Sequence, residues 1–167
     1  MSQVQEIVLA GEKPDDHWEV EALYDLSFAP GRTALSSYRL RDGVPPLADL
    51  SFTARDGTGV LAGVVRNWPV KVGGHDAILL GPIAVHPTRQ GEGIAAMLMW
   101  HCLSAARDAG WDRVMLVGDA PYYGRYGFAR LEGVIMPPPT NPDRVLGVAL
   151  RDGAWDGIRG DVTRAIA

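Results

Sequence analysis

The stretch from Gly81 to Met99, GPIAVHPTRQGEGIAAMLM, constrains the fold of this chain more than any other. It begins inside the apolar run Ala77 to Val85, which has the length and composition of a buried strand. Gly81-Pro82 interrupts that run. Proline cannot donate to a sheet ladder, so the strand must bulge or lose its pairing there. His86-Pro87 ends the strand, and a tight loop carrying Gly91 and Gly93 follows. Ile94, Met97, Leu98, His101, Cys102 and Ala105 then recur at helical spacing, which predicts an amphipathic helix to about Ala109, stopped by Gly110. A strand broken in its middle, a glycine loop and a long helix in direct succession describe a sheet covered by helices.

The flanking segments fit that layout. Val4 to Leu9 reads as a short strand, and Pro14-Asp15-Asp16 opens a helix to about Ser27. Asp16 and Glu19 stand at capping-box spacing, and Val20, Leu23 and Tyr24 share one face. Ala29 to Ala48 is mixed, and Pro45-Pro46 closes any helix in it. Leu50, Phe52 and Ala54 alternate with Ser51 and Thr53, the pattern of a half-buried strand. Turn signals at Arg55-Asp56-Gly57 and Gly73-Gly74 bound a second strand, Val60 to Val70, and lead into the broken one. Beyond the helix, Arg113 to Val117 is a short buried strand, Pro121 to Tyr126 a short helix or turn, and Val145 to Leu150 a further strand. This order predicts an α/β (α+β) class with a mixed sheet in one domain over residues 1–167.

Composition narrows the function classes. A net charge of −4 and a pI near 5.5 disfavour a nucleic-acid surface, which needs clustered Lys and Arg. An acidic field suits an amine substrate. No segment reaches the roughly 20 apolar residues of a membrane span, and the N-terminus lacks the charged start and apolar run of a signal peptide. Cys102 is the only cysteine, so no intrachain disulfide forms and a cytoplasmic location is expected. Among Met97, Leu98, Met99 and Ala105 it reads as a buried small hydrophobe. Four scattered histidines show no ligand spacing, so no metal is expected. The five tryptophans are unclustered and read as core or interface residues.

The chemistry concentrates in the glycine loop. Gly91 and Gly93 let backbone approach a ligand closely, and the free N–H groups at the following helix start suit a pyrophosphate. Arg89 could add a charge-assisted contact. A glycine turn before a helix also occurs with no ligand, so the loop alone leaves the matter open.

Gln90-Gly91-Glu92-Gly93-Ile94-Ala95 resembles the Q/R-x-x-G-x-G/A motif of the GNAT acetyltransferase superfamily. The resemblance implies the GNAT fold, with a central sheet splayed between its fourth and fifth strands. It also implies acetyl-CoA as acyl donor: its pyrophosphate on the loop amides, its pantetheine arm in the gap beside Ile83, Ala84 and Val85. Gly81-Pro82 supplies a break where the family bulges. A second match, VMLVGDAPYYGRYGF from Val114 to Phe128, is similar to the family's fifth strand followed by Y-x-x-x-G-F. It puts Tyr123 where family members often carry a general acid. With the ending LGVALRDGAWDGIRGDVT, the pattern resembles a bacterial subgroup of small acetyltransferases.

On this reading the chain is an N-acetyltransferase acting on a primary amine of a small molecule or peptide, with no nucleic-acid or membrane partner. A homodimer is the default assembly. The cofactor-binding set is Ile83, Ala84, Val85, Arg89, Gln90, Gly91, Glu92, Gly93, Ile94 and Ala95, and the catalytic residue is Tyr123. Tyr126 is expected in the core, His86 as a brace for the loop, His101 as a buried histidine and Asp119 as a helix cap. Some relatives carry a glutamate on the fourth strand; here Ile78-Leu79-Leu80 is apolar, and no residue is assigned as general base. The acceptor groove is expected from Ala29 to Asp49 and from Pro137 to Asp143. Two alternatives stay open: a non-catalytic acyl-CoA-binding regulatory domain, and a glycine-rich nucleotide-binding module. The latter would want its loop at the start of a parallel sheet.

Overall fold

A computed structural model describes residues 6–28 and 36–165. β1 (Val8–Gly11) leads through a 3₁₀ turn at Pro14–Asp16 into α1 (His17–Ser27). After α2 (Ser36–Arg39) come β2 (Phe52–Arg55), β3 (Leu61–Val72) and β4 (His75–Val85). α3 (Ile94–Asp108) precedes β5 (Arg113–Val117) and the single-turn α4 (Ala120–Tyr123). β6 (Ala129–Arg130), β7 (Val134–Ile135), β8 (Val145–Ala149) and β9 (Gly160–Arg164) complete the chain.

The sheet runs β1-β2-β3-β4-β5-β8-β6, antiparallel throughout except for the parallel β4–β5 pair. β9 lies along the far half of β3, pairing Val70 to Val72 with Arg164 to Val162, and β7 pairs with β9. The sequence pattern does not give β6, β7 or β9. The first two are two-residue strands, and β9 alternates Asp161, Val162 and Thr163 with a single buried side chain, too little signal for a periodicity.

The break at Gly81-Pro82 is a bulge. Asn67 pairs with Leu80 and Val65 with Ile83, so β4 takes three steps where β3 takes two. The inserted residue flips the side-chain parity of β4. Before it, Ile78 and Leu80 pack under α3; after it, Ile83 and Val85 do, while Ala84 turns to α1. α3 covers one face of the sheet with Ile94, Leu98, Met99, Cys102, Leu103 and Ala106, each large side chain contributing about 1.5–3 kcal/mol by burial. α1 covers the other face with Val20, Leu23 and Tyr24, and a third cluster forms around Leu79, Met115 and Val162.

Several expectations shift. β1 begins at Val8, not Val4, which lies outside the described residues. β2 is buried on both faces rather than half-buried, with Ser51 and Thr53 as inaccessible as Phe52 and Ala54. Asp16 and Glu19 do not form the expected capping box: Asp16 accepts from Lys13 N at 2.8 Å, one turn earlier, and both carboxylates bind Arg55, at 2.8 and 3.0 Å. His101 is exposed, touching only the edge of the stripe through its ring 4.5 Å from that of Phe52. The buried stripe of α3 is centred on Leu98 and Cys102, one residue round from Met97 and His101. Trp18 and Trp100 are exposed, while Trp68, Trp111 and Trp155 are half-buried and pack against the core clusters. Cys102 is buried, and burial pushes its thiol up to about 12.

Candidate active site

β4 and β5 pair only at Ile78–Val114 and Leu79–Met115. Past that point β4 is turned by its bulge and β5 runs toward α4, so the two strands part. The edge of β4 from Leu80 to Val85 that faces β5 then has no strand partner among the described residues. A cleft of about 160 Å³ opens in the gap, walled by Gly81, Pro82 and Ile83 on one side and Leu116 and Val117 on the other. The hydroxyl of Tyr24 donates to the Pro82 carbonyl at 2.6 Å and ties α1 to the bulge. Unpaired strand edges attract extended chains, so an elongated ligand with amide groups fits here.

A second hollow, next along the same edge, is lined by Val85, Gln90, Gly91, Gly93, Ala95 and Arg125. Gly91 and Gly93 have φ of +83° and +81°, a left-handed conformation costly to residues with a Cβ. Gly93 is the N-cap of α3 and offers no side chain to the first amides, whose intrahelical bonding starts with Met97 N–H to Gly93 O at 3.0 Å. That leaves N–H groups free for an anion. The loop is braced from within. Gln90 Nε2 donates to Val85 O at 2.9 Å, and His86 Nδ1 accepts from Thr88 N at 3.2 Å. Arg89 spans Glu92 (2.8 Å) and Asp56 (3.1 Å), so its fork is engaged by carboxylates rather than held out toward solvent. Ile94 is a core residue and Ala84 packs on α1, which leaves both only their backbone groups to offer.

Tyr123 stands at the junction, half-buried in the wall of the cleft. Its ring meets Tyr122 edge-on at 4.8 Å and Phe128 at 6.2 Å. Burial, reinforced by Tyr122, raises its phenol above the ordinary 10.0, so it keeps its proton at neutral pH. Asp119 caps α4 by accepting from Tyr122 N at 3.1 Å. Tyr126 is buried as expected, its hydroxyl 3.3 Å from that of Tyr122.

Three features of the site have no signature in the sequence. Gly118 is one: a Cβ there would stand 2.4 Å from Tyr123 Cε2, so this glycine makes room for the tyrosine ring. Tyr24 is another, because its helical spacing predicts burial but not the bond to Pro82. Arg41 is the third. It lies in the mixed segment after α1, lines the cleft with Tyr38 and Phe28, and is 8% exposed. The rest of the expected acceptor region is split. Residues 29–35 lie outside the described residues, while Arg39 donates to Pro138 O at 2.8 Å and joins the two predicted segments.

Residues 16–130 match the model of the Acetyltransferase (GNAT) family. The chain belongs to the GNAT family. The acetyltransferase is 33% identical over 120 residues to the uncharacterized N-acetyltransferase YhbS of Escherichia coli K12, covering 70% of each chain. The crystal structure of E. coli YhbS in complex with CoA superposes with a TM-score of 0.84 at 28% identity, over 98% of this chain and 92% of that one. A Brucella melitensis GNAT acetyltransferase in complex with acetyl-CoA gives 0.72 at 26% identity, over 98% of both. The mixed sheet with its parted parallel pair is therefore the GNAT sheet. Among the described residues of the acetyltransferase no helix is long and apolar enough to cross a membrane.

Proposed function

We propose that the protein moves an acetyl group from acetyl-CoA directly to a primary amine of a small molecule or peptide. The observation that carries this reading is the parting of β4 from β5, which opens an unpaired strand edge between a glycine-capped helix start and the half-buried Tyr123. Acetyl-CoA supplies an activated acyl group on a thiol leaving group. The β4 edge at Ile83 to Val85 holds the pantetheine arm as an added strand. The loop from Arg89 to Ala95 receives the pyrophosphate on its amides, with Gly91 and Gly93 giving room and Arg89, Gln90 and Glu92 keeping the loop in shape.

A backbone N–H freed at the bulge polarises the reacting carbonyl. Tyr123, protonated at neutral pH, donates to the departing thiolate, a role worth roughly 10²–10⁴ in rate for a positioned acid. The amine must attack in its neutral form. A lysine-like amine with a pKa of about 10.4 is neutral in fewer than about one molecule per thousand at pH 7. The strand next to the gap, Ile78-Leu79-Leu80, is buried and apolar, so it supplies no base and the amine sheds its proton to water at the mouth of the cleft. Direct transfer is supported by the burial of the only thiol, Cys102, on the core-facing side of α3.

Isothermal titration with acetyl-CoA, with NAD and ATP as controls, tests the donor. Micromolar binding to acetyl-CoA alone, lost in Gly93→Trp, is expected, followed by turnover in an amine screen that Tyr123→Phe slows about 100-fold or more without weakening acetyl-CoA. Absence of binding to any acyl-CoA would refute the proposal. Binding without turnover of any amine would leave a regulatory acyl-CoA-binding domain.

A further inference from the structure

We propose that the acceptor amine also carries a carboxylate, and that Arg41 is the residue that reads it; this deepens the acetyltransferase reading and rests on it. Arg41 lines the cleft between the strands, 92% withdrawn from solvent. Its Nε and Nη1 are buried with no hydrogen-bond partner among the described residues. The guanidinium lies instead against two aromatic rings, its carbon 4.3 Å from the centroid of Tyr38 and 5.4 Å from that of Trp68. Nη2 reaches the bulge, 3.6 Å from where a Cβ on Gly81 would stand. One end of the guanidinium thus stands beside the point where β4 bends.

A buried cation without a counter-ion is costly, and proteins keep one only where an anion completes it. The neighbouring cation is already neutralised: Arg66 binds Glu12 through two nitrogens and Glu21 through a third, at 2.8–3.0 Å. No carboxylate of the described chain does the same for Arg41. Burial even lowers its affinity for a proton to a pKa of about 10, still leaving it cationic at neutral pH. The two free donors lie on opposite edges of the guanidinium, each beside Nη2, and either edge presents the planar geometry that matches a carboxylate.

The same cleft is lined by Tyr123, so a ligand seated there has its reacting end at the phenol and its other end at the guanidinium. An amino carboxylate satisfies both: the amine meets the thioester and the carboxylate meets Arg41. An amine without the anion leaves the guanidinium buried and unpaired, and discrimination on that basis is steep.

The test compares amino carboxylates of increasing chain length, free and as peptide C-termini, with their carboxamides. Acetyl-CoA turnover is measured for each, along with binding of each to the CoA-loaded protein. Each productive carboxylate is expected to exceed its carboxamide in kcat/KM by about 10- to 1,000-fold. Arg41→Gln should bring that ratio near one while leaving the acetyl-CoA dissociation constant within about threefold; Arg41→Lys should retain part of the preference. The proposal is overturned if acetyl-CoA binds but carboxylate and carboxamide are indistinguishable in wild type, both inert included. A preference that survives Arg41→Gln also overturns it. The wild-type comparison stands even if a variant misfolds, and a protein that binds no acetyl-CoA ends the acetyltransferase reading itself.

Discussion

Gly118→Ala adds one methyl group, and its consequence can be worked from distances. The new Cβ would stand 2.4 Å from Tyr123 Cε2, 2.8 Å from Cδ2 and 3.1 Å from a methyl of Leu116. Carbon atoms settle at roughly 3.5–4.0 Å, so the ring edge must retreat by about 1 Å. The ring is the mobile partner, because Gly118 is held in the β8 connection by its N–H to Arg144 O at 2.9 Å. Overpacking of this kind costs about 1–3 kcal/mol, a loss of roughly 2–12 °C in a chain of this size. The chemical effect should be of similar size, since a 1 Å misplacement of a reacting group can cost about 100-fold, or about 2.7 kcal/mol. The expected result is kcat lowered 10- to 100-fold, with the acetyl-CoA dissociation constant changed less than about threefold. The discriminating measurement is a double-mutant cycle with Tyr123→Phe. If Gly118 acts through the phenol, the double variant is no slower than Tyr123→Phe alone. Additive losses would refute the positioning role and place the effect of Gly118 elsewhere in the cleft.

Further outcomes are expected. With no carboxylate on the buried part of β4, kcat/KM should rise about tenfold per pH unit below the amine's own pKa and flatten only there; a plateau near pH 6–7 would reveal an enzyme base. Asp56 accepts from Thr58 Oγ1, Val60 N and Thr58 N as well as Arg89, and its hydrogen bonds, that from Thr58 Oγ1 foremost, hold its carboxyl below the ordinary 3.8. Its folded-state pKa is depressed, so its contribution is complete above the unfolded value and is lost as pH falls through the folded one; acid unfolding followed by circular dichroism should be shallower in Asp56→Asn below about pH 4. Glu12→Gln breaks the two-nitrogen contact with the 9%-exposed Arg66 and should destabilise by about 2–4 kcal/mol in denaturant unfolding. Cys102 should resist a thiol reagent in the native protein and react on unfolding, since burial raises its pKa to about 12.

The parts of this molecule written in local chemistry were legible in its sequence. Gly81-Pro82 announces a break in a strand because proline lacks an N–H, and the structure turns that break into a bulge. The helix from Ile94 and the strand Arg113–Val117 follow from periodicity and length. What stayed hidden depends on contacts between segments distant in the chain. Arg41 sits in a stretch without periodicity, and its significance lies in which carboxylates are missing around it, a fact of packing. Gly118 reads as an ordinary turn glycine until Tyr123 folds back over it. β2 alternates like a half-wet strand, yet both of its faces are covered, and Ser51 and Thr53 find partners in Leu47 O and Ala10 O. His101 is misread for a subtler reason: the buried stripe of α3 sits one residue round from the pattern its apolar residues suggest.

The two halves of one edge of β3 are closed by chain made at very different times. β2, synthesised just before β3, covers residues 61–65; β9, near the C-terminal end, covers residues 70–72. At ribosomal speeds the interval between Val72 and Arg164 is on the order of ten seconds. Throughout it the distal β3–β4 hairpin has one ladder bare, and a bare ladder pairs with whatever strand is near. Truncation before Gly160 would make that interval permanent. Removing the last strand should therefore cost this protein its solubility before it costs it the ability to bind a donor at the opposite end of β4.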